Sequence, residues 1–204
     1  MVEGNFSVSQ RITLRRRRAV ASILAPRGDA LLVTGLGSTT WDAFAHGDHD
    51  LNFYTWGGMG GAAMIGLGLA IAQTKRRVVV LTGDGEMLMG LGSLATIGVQ
   101  RAANLAVVVI DNERYGETGQ QETHTHFGVS IAGVGLASGF RDAVTAYTRA
   151  QLNDAIDLIY DGQGPVLAVV KVRPESEPLT LPDRDGPYLK GRFREALLGR
   201  ASGP

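Results

Sequence analysis

The sequence predicts a single α/β domain, an open parallel sheet covered by helices on both faces. Two observations predict it. Apolar runs of strand length, at 78–81, 105–110 and 165–172, alternate with segments of helical length. These runs are continuous Val, Ile and Leu rather than alternating apolar and polar, as strands buried on both faces must be. The composition agrees, since 44% of the 204 residues are hydrophobic and only 20% charged, enough for one sizeable core.

Taken in order, a first helix is expected over Gln10–Leu24, where four arginines lead into Ala19-Val20-Ala21-Ser22-Ile23-Leu24. The apolar run at Ala30–Thr34 reads as a strand, followed by the loop Gly35-Leu36-Gly37-Ser38-Thr39-Thr40 and an irregular stretch to Phe53. A helix is expected over Gly58–Gln73, then a strand at Arg77–Thr82, a helix at Glu86–Ala103 and a strand at Leu105–Ile110. The polar segment from Asn112 to about Thr125 carries no apolar period. After it come a short helix near Ser130–Ser138, a strand at Ala143–Tyr147, a helix at Gln151–Tyr160 and a strand at Pro165–Val172. Prolines and charges then predict an extended tail with a short helix near Lys190–Leu198. The expected organisation is an N-terminal helical segment (1–27), a binding domain (28–172) and a C-terminal tail (173–204).

Charge and cysteine content exclude several function classes. Twenty basic and twenty acidic residues cancel, so nothing in the global charge favours nucleic acid or a membrane surface. The run Arg15-Arg16-Arg17-Arg18 reads as a solvated helix face, with contact to an anionic surface as the alternative. No cysteine is present, which removes disulfides, thiolate metal sites and a thiol nucleophile. The uncharged stretch Leu51–Gln73 is too rich in glycine and polar residues to span a bilayer, and no secretory signal is recognisable. A soluble, cytoplasmic chain is expected.

The chemistry is concentrated in Gly83-Asp84-Gly85 and Asp111-Asn112, each following an apolar strand. Strand, turn, helix and strand bring one carboxylate and one carboxamide to the same edge of a parallel sheet, where such sheets bind ligands. Oxygen donors there, with a helix N-terminus facing the site, suit a hard cation that holds a diphosphate. Glycine numbers 28, about twice the usual share, and clusters at 35–37, 57–61 and 83–85. Three such clusters suggest a bulky phosphate-bearing ligand approached closely by backbone. A purely structural reading, Asp84 capping the following helix and a polar turn at 111–114, explains each half but not their pairing.

Gly83-Asp84-Gly85 with Asp111-Asn112 resembles the diphosphate-binding motif of thiamine-diphosphate-dependent enzymes, with aspartate in place of the first of two asparagines. The resemblance implies that Asp84 and Asn112 give side-chain oxygens to Mg2+ and Arg114 its backbone carbonyl, while Gly85 and Glu86 turn N–H groups toward the diphosphate. The segment Phe53-Tyr54-Thr55-Trp56-Gly57-Gly58-Met59-Gly60 is similar to the family's aminopyrimidine loop. The carbonyl of Gly57 and the N–H of Met59 would then hold the ring, with Gly58 between them at the cofactor, and the Met59 side chain would wedge the cofactor into its bent form; the alternative makes Met59 a core residue. Gly37, Ser38 and Thr39 match a diphosphate-contacting loop of the family, or simply cap the segment that begins at Thr40.

Within the family, the aminopyrimidine loop, the loop Tyr115-Gly116-Glu117-Thr118-Gly119-Gln120-Gln121-Glu122-Thr123 and the tail at 172–176 are similar to sulfopyruvate and phosphonopyruvate decarboxylases. Tyr115 and Gly116 are accordingly expected at the cofactor. The implied reaction is non-oxidative decarboxylation of a small anionic 2-oxo acid to an aldehyde, with carboligation of the acetolactate-synthase type or a non-catalytic cofactor-binding role as alternatives. The resemblance covers the diphosphate-binding domain alone, so the glutamate that activates the pyrimidine is expected from an α-type, pyrimidine-binding partner in a hetero-oligomer such as α2β2 or larger. Arg114, His124 and His126 are the candidates for contact with the anionic substrate. For the His124-Thr125-His126 pair, expected on an extended segment, a solvated loop and a metal site are the other readings.

Overall fold

The computed structural model describes residues 12–199. Six strands form one parallel sheet: β1 (Leu31–Thr34), β2 (Asn52–Tyr54), β3 (Val78–Gly83), β4 (Leu105–Asp111), β7 (Asp142–Ala146) and β8 (Val166–Lys171), in the order β2-β1-β3-β4-β8-β7. The chain moves from β1 outward to β2, then returns across β1 to begin β3, so the direction of winding reverses beside β1. That reversal opens a crevice at the carboxyl ends of the strands. Strands β1, β3, β4 and β8 are buried at every position but Gly83, which is why their sequences carry no alternation.

Helices cover both faces. On one side α1 (Arg16–Leu24), α2 (Ser38–His46) and α7 (Arg149–Asp161) enclose a core that includes Val20, Ile23, Leu32, Leu81, Val108 and Leu152. On the other, α3 (Ala62–Ala72), α4 (Asp84–Met89), α5 (Ser93–Gln100) and α6 (Ile131–Ala137) pack on Leu31, Val80, Val107 and Leu167. Residue 173 begins an irregular strap that leads to α8 (Gly186–Leu198), whose Phe193 stacks edge-on against Phe53 of β2, 5.5 Å between centroids. The strap and helix thereby shield the short edge strand, a common defence against edge-to-edge pairing.

Several expected boundaries change. The first helix starts at Arg16 rather than Gln10; Gln10 and Arg11 lie outside the described residues. The stretch expected to be irregular before Phe53 holds α2 and the edge strand β2. Its Thr39-Thr40-Trp41-Asp42 opening has poor intrinsic helix propensity, so packing against α1 must supply the stability. The single helix expected over Glu86–Ala103 is broken into α4 and α5 at Gly90-Leu91-Gly92. A side chain at Gly90 would meet the carbonyl oxygen of Gly60 at 2.2 Å, so the break is where two backbones touch. The polar segment after Asn112 contains a small antiparallel hairpin, β5 (Arg114–Tyr115) with β6 (Gln121–Glu122). His124 and His126 sit on a 3-10 turn (His124–Phe127), not on an extended segment.

The arginine run is not a uniformly solvated face. Arg18 is exposed, but Arg16 is buried and its Nε donates to the fully buried Asp42 at 2.6 Å, while Arg17 Nε donates to the other Asp42 oxygen at 2.9 Å. Arg15 pairs with Glu175 of the strap at 3.0 Å.

At the α5–α6 contact Gly98 meets the backbone of Ser138, where an added Cβ would lie 1.8 Å from its carbonyl oxygen. Gly98→Ala is therefore expected to cost about 3 kcal/mol, the upper end for overpacking, and to lower Tm by about 6–12 °C in a domain of this size. A thermal melt matching wild type would show that the two backbones can separate cheaply.

Candidate cofactor site

The carboxyl ends of β1, β3 and β4 converge on one cavity. It is lined by Ser38 and Thr39 after β1, Met59 before α3, Gly83, Asp84, Gly85 and Glu86 after β3, and Asn112, Arg114, Tyr115 and Gly116 after β4. Most of the candidate residues are thus brought together. Gly37 lines an adjoining hollow with Trp41, Trp56, Glu117 and Arg184, whereas Gly57 and Gly58 line neither. Gly37 and Gly58 both have positive φ, +80° and +69°, and set the course of the two loops that flank the cavity.

Asp84 is buried at the start of α4, and its Oδ2 accepts from Thr123 Oγ1 at 2.6 Å. Its pKa is pushed up to about 7, chiefly by burial and next by the nearby Asp111 carboxylate, against which Thr123 and the N–H of Asn112 pull back. Asp111 accepts from Thr125 Oγ1 at 2.8 Å and lies 2.8 Å from Lys171 Nζ. Lys171 also donates to Glu113 at 2.7 Å. Burial alone would lower the Lys171 pKa, but Asp111 and Glu113 outweigh it and raise the value above the ordinary range. Asn112 Oδ1 accepts from the Arg114 N–H at 3.0 Å, a local turn that holds the amide in place.

Glu86 is the second buried acid. Neither of its oxygens has a partner of good hydrogen-bond geometry. Thr82 and the N–H groups of Leu36, Gly60 and Ala62 lie near enough to offset part of the burial, yet burial dominates and its pKa is raised. Glu86 therefore stands between the loop after β1 and the start of α3, the two segments that frame the cavity.

The remaining candidates are less central. Arg114 lines the cavity, but its guanidinium is held by Glu122 at 3.2 Å. Neither histidine lines the cavity. His124 Nδ1 lies 3.4 Å from the Tyr115 hydroxyl at the rim, and His126 sits between Glu113 at 3.1 Å and Glu122 at 3.3 Å. Met59 is 36% exposed, which removes the reading of it as a core residue. Among the described residues no group of three or more His, Asp or Glu side chains is arranged to hold a metal by itself.

The donor set fits Mg2+ with a diphosphate. It is all oxygen, it holds a buried carboxylate whose charge lacks a compensating cation, and it has too few protein ligands for a closed metal site, leaving positions for ligand oxygens. Thr123, Thr125 and Lys171 escaped sequence reasoning. Lys171 left one signal, a charge ending an otherwise apolar strand, and the sheet register places it directly beside Asp111.

Comparison with known proteins decides the family. The profile of the thiamine pyrophosphate enzyme, C-terminal TPP binding domain, matches residues 35–170. The chain belongs to this family. It is 34% identical over 169 residues to sulfopyruvate decarboxylase subunit beta of Methanococcus maripaludis, covering 83% of this chain and 90% of that one. It is 39% identical to phosphonopyruvate decarboxylase of Streptomyces viridochromogenes, over 79% of this chain and 40% of that one. Among solved structures, benzoylformate decarboxylase from Polynucleobacter necessarius superimposes with a TM-score of 0.66 at 24% identity, over 86% of this chain and 36% of that one. This TPP-binding domain therefore spans about a third of that larger chain and has its fold. No helix among the described residues is long and apolar enough to cross a membrane.

Proposed function

We propose that this TPP-binding chain is the diphosphate-binding subunit of a two-subunit decarboxylase that converts a small anionic 2-oxo acid, sulfopyruvate- or phosphonopyruvate-like, to an aldehyde and CO2. The observation that carries the reading is the buried Asp84 carboxylate beside Asn112 at the mouth of β3 and β4, in a chain similar along most of its length to subunits named for that reaction. When bound, thiamine diphosphate supplies the electron sink that accepts the carbanion left by departing CO2.

The chain's own residues hold and shape. Asp84 and Asn112, with the Arg114 carbonyl, would bind Mg2+, and Ser38, Thr39 and the N–H groups of Gly85 and Glu86 would take the diphosphate oxygens. Thr123 keeps the Asp84 carboxylate aimed, and Thr125 with Lys171 does the same for Asp111. Met59, exposed at the cavity edge, occupies a place suited to a wedge between the cofactor rings. Arg114, at the cavity, and His124, at its rim, would be the groups that meet an anionic substrate; His126, between two acids, would act on it only through them.

A partner is part of the proposal. Relatives from three methanogens are named as beta subunits, and the side of α3 away from the sheet leaves Met64, Ile65 and Ile71 exposed, continuing from the loop that carries Met59. Apolar side chains clustered in this way mark a surface that another chain covers. The α-type, pyrimidine-binding subunit would bring the activating glutamate.

The test is reconstitution. This chain, purified alone and with the product of a neighbouring reading frame of similar length, is incubated with Mg2+, thiamine diphosphate and a panel of 2-oxo acids. Aldehyde is expected only when both chains are present and only from acids with a second anionic group. Turnover by this chain alone would refute the divided site. Condensation products in place of aldehyde would favour carboligation.

A further inference from the structure

We infer that Arg16 is a diphosphate-binding residue, its two terminal guanidinium nitrogens donating to the diphosphate oxygens of the cofactor. The inference rests on the reading of the cavity as a thiamine diphosphate site. Arg16 is 7% exposed, yet it lines the same cavity as Ser38, Thr39, Asp84 and Asn112. Its Nε is engaged by Asp42, and its backbone N–H by Glu175 at 3.1 Å. Among the described residues neither Nη makes a hydrogen bond. A guanidinium has five N–H donors and keeps its charge at any working pH, so a buried one with its fork unfilled calls for an anion.

The surroundings say which end of the cofactor it meets. Asp42 lies one turn along α2 from Ser38 and Thr39, on the same helix face. Gripping Asp42 therefore places the Arg16 side chain over the first turn of α2, beside the loop that faces the diphosphate and with that helix's free N–H groups. Asp42 cannot neutralise Arg16 alone, because its second oxygen is taken by Arg17. One carboxylate between two guanidiniums leaves a net positive charge at the wall. Asp84 is negative when ionised, and the carboxylates of Glu86 and Glu117 lie against Gly35 and Gly37 of the loop before α2, so a diphosphate still anionic after Mg2+ binds needs a cation at the cavity wall. Arg16 is the cavity-lining cation that no carboxylate holds through its fork, since Arg114 Nη2 is already paired with Glu122.

The test measures binding, not turnover. The full-length chain is titrated calorimetrically with Mg2+-pyrophosphate and with Mg2+-thiamine diphosphate, as wild type, Arg16→Gln, Arg16→Lys and Arg17→Gln. Arg16→Gln is expected to weaken both ligands by about 10–100-fold, the range for loss of charge-assisted hydrogen bonds. Arg16→Lys should fall between, keeping the charge but losing the fork. Arg17→Gln removes the other partner of Asp42 and leaves the Arg16 fork in place, so it controls for damage to the α1–α2 packing and should weaken both ligands much less than Arg16→Gln does. Wild-type affinity in a folded Arg16→Gln, or an equal loss in Arg17→Gln, would overturn the inference alone. Wild-type chain that binds pyrophosphate but not thiamine diphosphate would overturn the cofactor reading and leave Arg16 as an anion-binding residue. Wild type that binds neither would overturn both.

Discussion

Asp84→Asn is expected to weaken Mg2+-dependent binding of thiamine diphosphate by more than about 100-fold, since loss even of groups that merely support a metal ligand typically costs 10–100-fold. The same substitution should stabilise the ligand-free chain, which separates this residue from an ordinary structural acid. Burial and the Asp111 charge hold the Asp84 pKa up at about 7, against an ordinary carboxylate value of 3.8. A carboxyl whose folded pKa is raised favours the fold when protonated, so the ligand-free protein loses this contribution as pH rises from about 4 toward 7. Asparagine carries no charge, and its oxygen can still accept from Thr123. At pH 8 the ligand-free variant should therefore melt above wild type by about 4–8 °C, on the order of 2 kcal/mol. The gain should shrink below pH 7 and vanish below about pH 4. Thermal melts across that range, with and without Mg2+-thiamine diphosphate, check both halves; a variant less stable than wild type at pH 8 would count against a strained carboxylate.

Lys171→Met is the second large effect, and it acts on stability. Lys171 is almost fully buried and bridges Asp111 and Glu113. Removing one partner of a buried pair strands the other charge, at a cost of about 3–5 kcal/mol. Asp111→Asn alone should cost much less, about 1 kcal/mol, because the amide oxygen can still accept from Thr125 and from the Glu113 N–H, and Glu113 still engages Lys171. In the double variant the stranded charge is gone, and most of the Lys171→Met loss should be recovered. Urea denaturation of the four proteins measures this coupling, expected at about 2–3 kcal/mol. Additive losses would show that Lys171 stabilises the fold mainly through Glu113. The result also tests what lets Asp111 sit buried at the end of β4: the cation arrives from the neighbouring strand.

Much of the architecture was legible in the sequence, because doubly covered parallel strands are marked by unbroken apolar runs and Asp84 and Asn112 directly follow two of them. Elements whose stability comes from tertiary contact were not. The α2 helix opens with residues of poor helical propensity, β2 is three residues long, and the break between α4 and α5 follows from the approach of Gly60 to Gly90. His124 and His126 looked close to the chemistry because they follow Asn112 in the chain, but a 3-10 turn carries His124 to the Tyr115 hydroxyl at the rim and His126 into contact with two acids.

By itself the sequence determined the parallel α/β class and the meeting of Asp84 and Asn112 at one edge of the sheet. These depend on local spacing, which strand and helix geometry converts directly into position. Only the tertiary structure decided which distant side chains complete the site. Sheet register brings Lys171 to Asp111, the return of the hairpin brings Thr123 to Asp84, and α1 lying across α2 turns Arg16 from one of four arginines in a row into a buried cation at the cavity wall. Local periodicity carries no information about such contacts, because each is made between elements far apart in the chain.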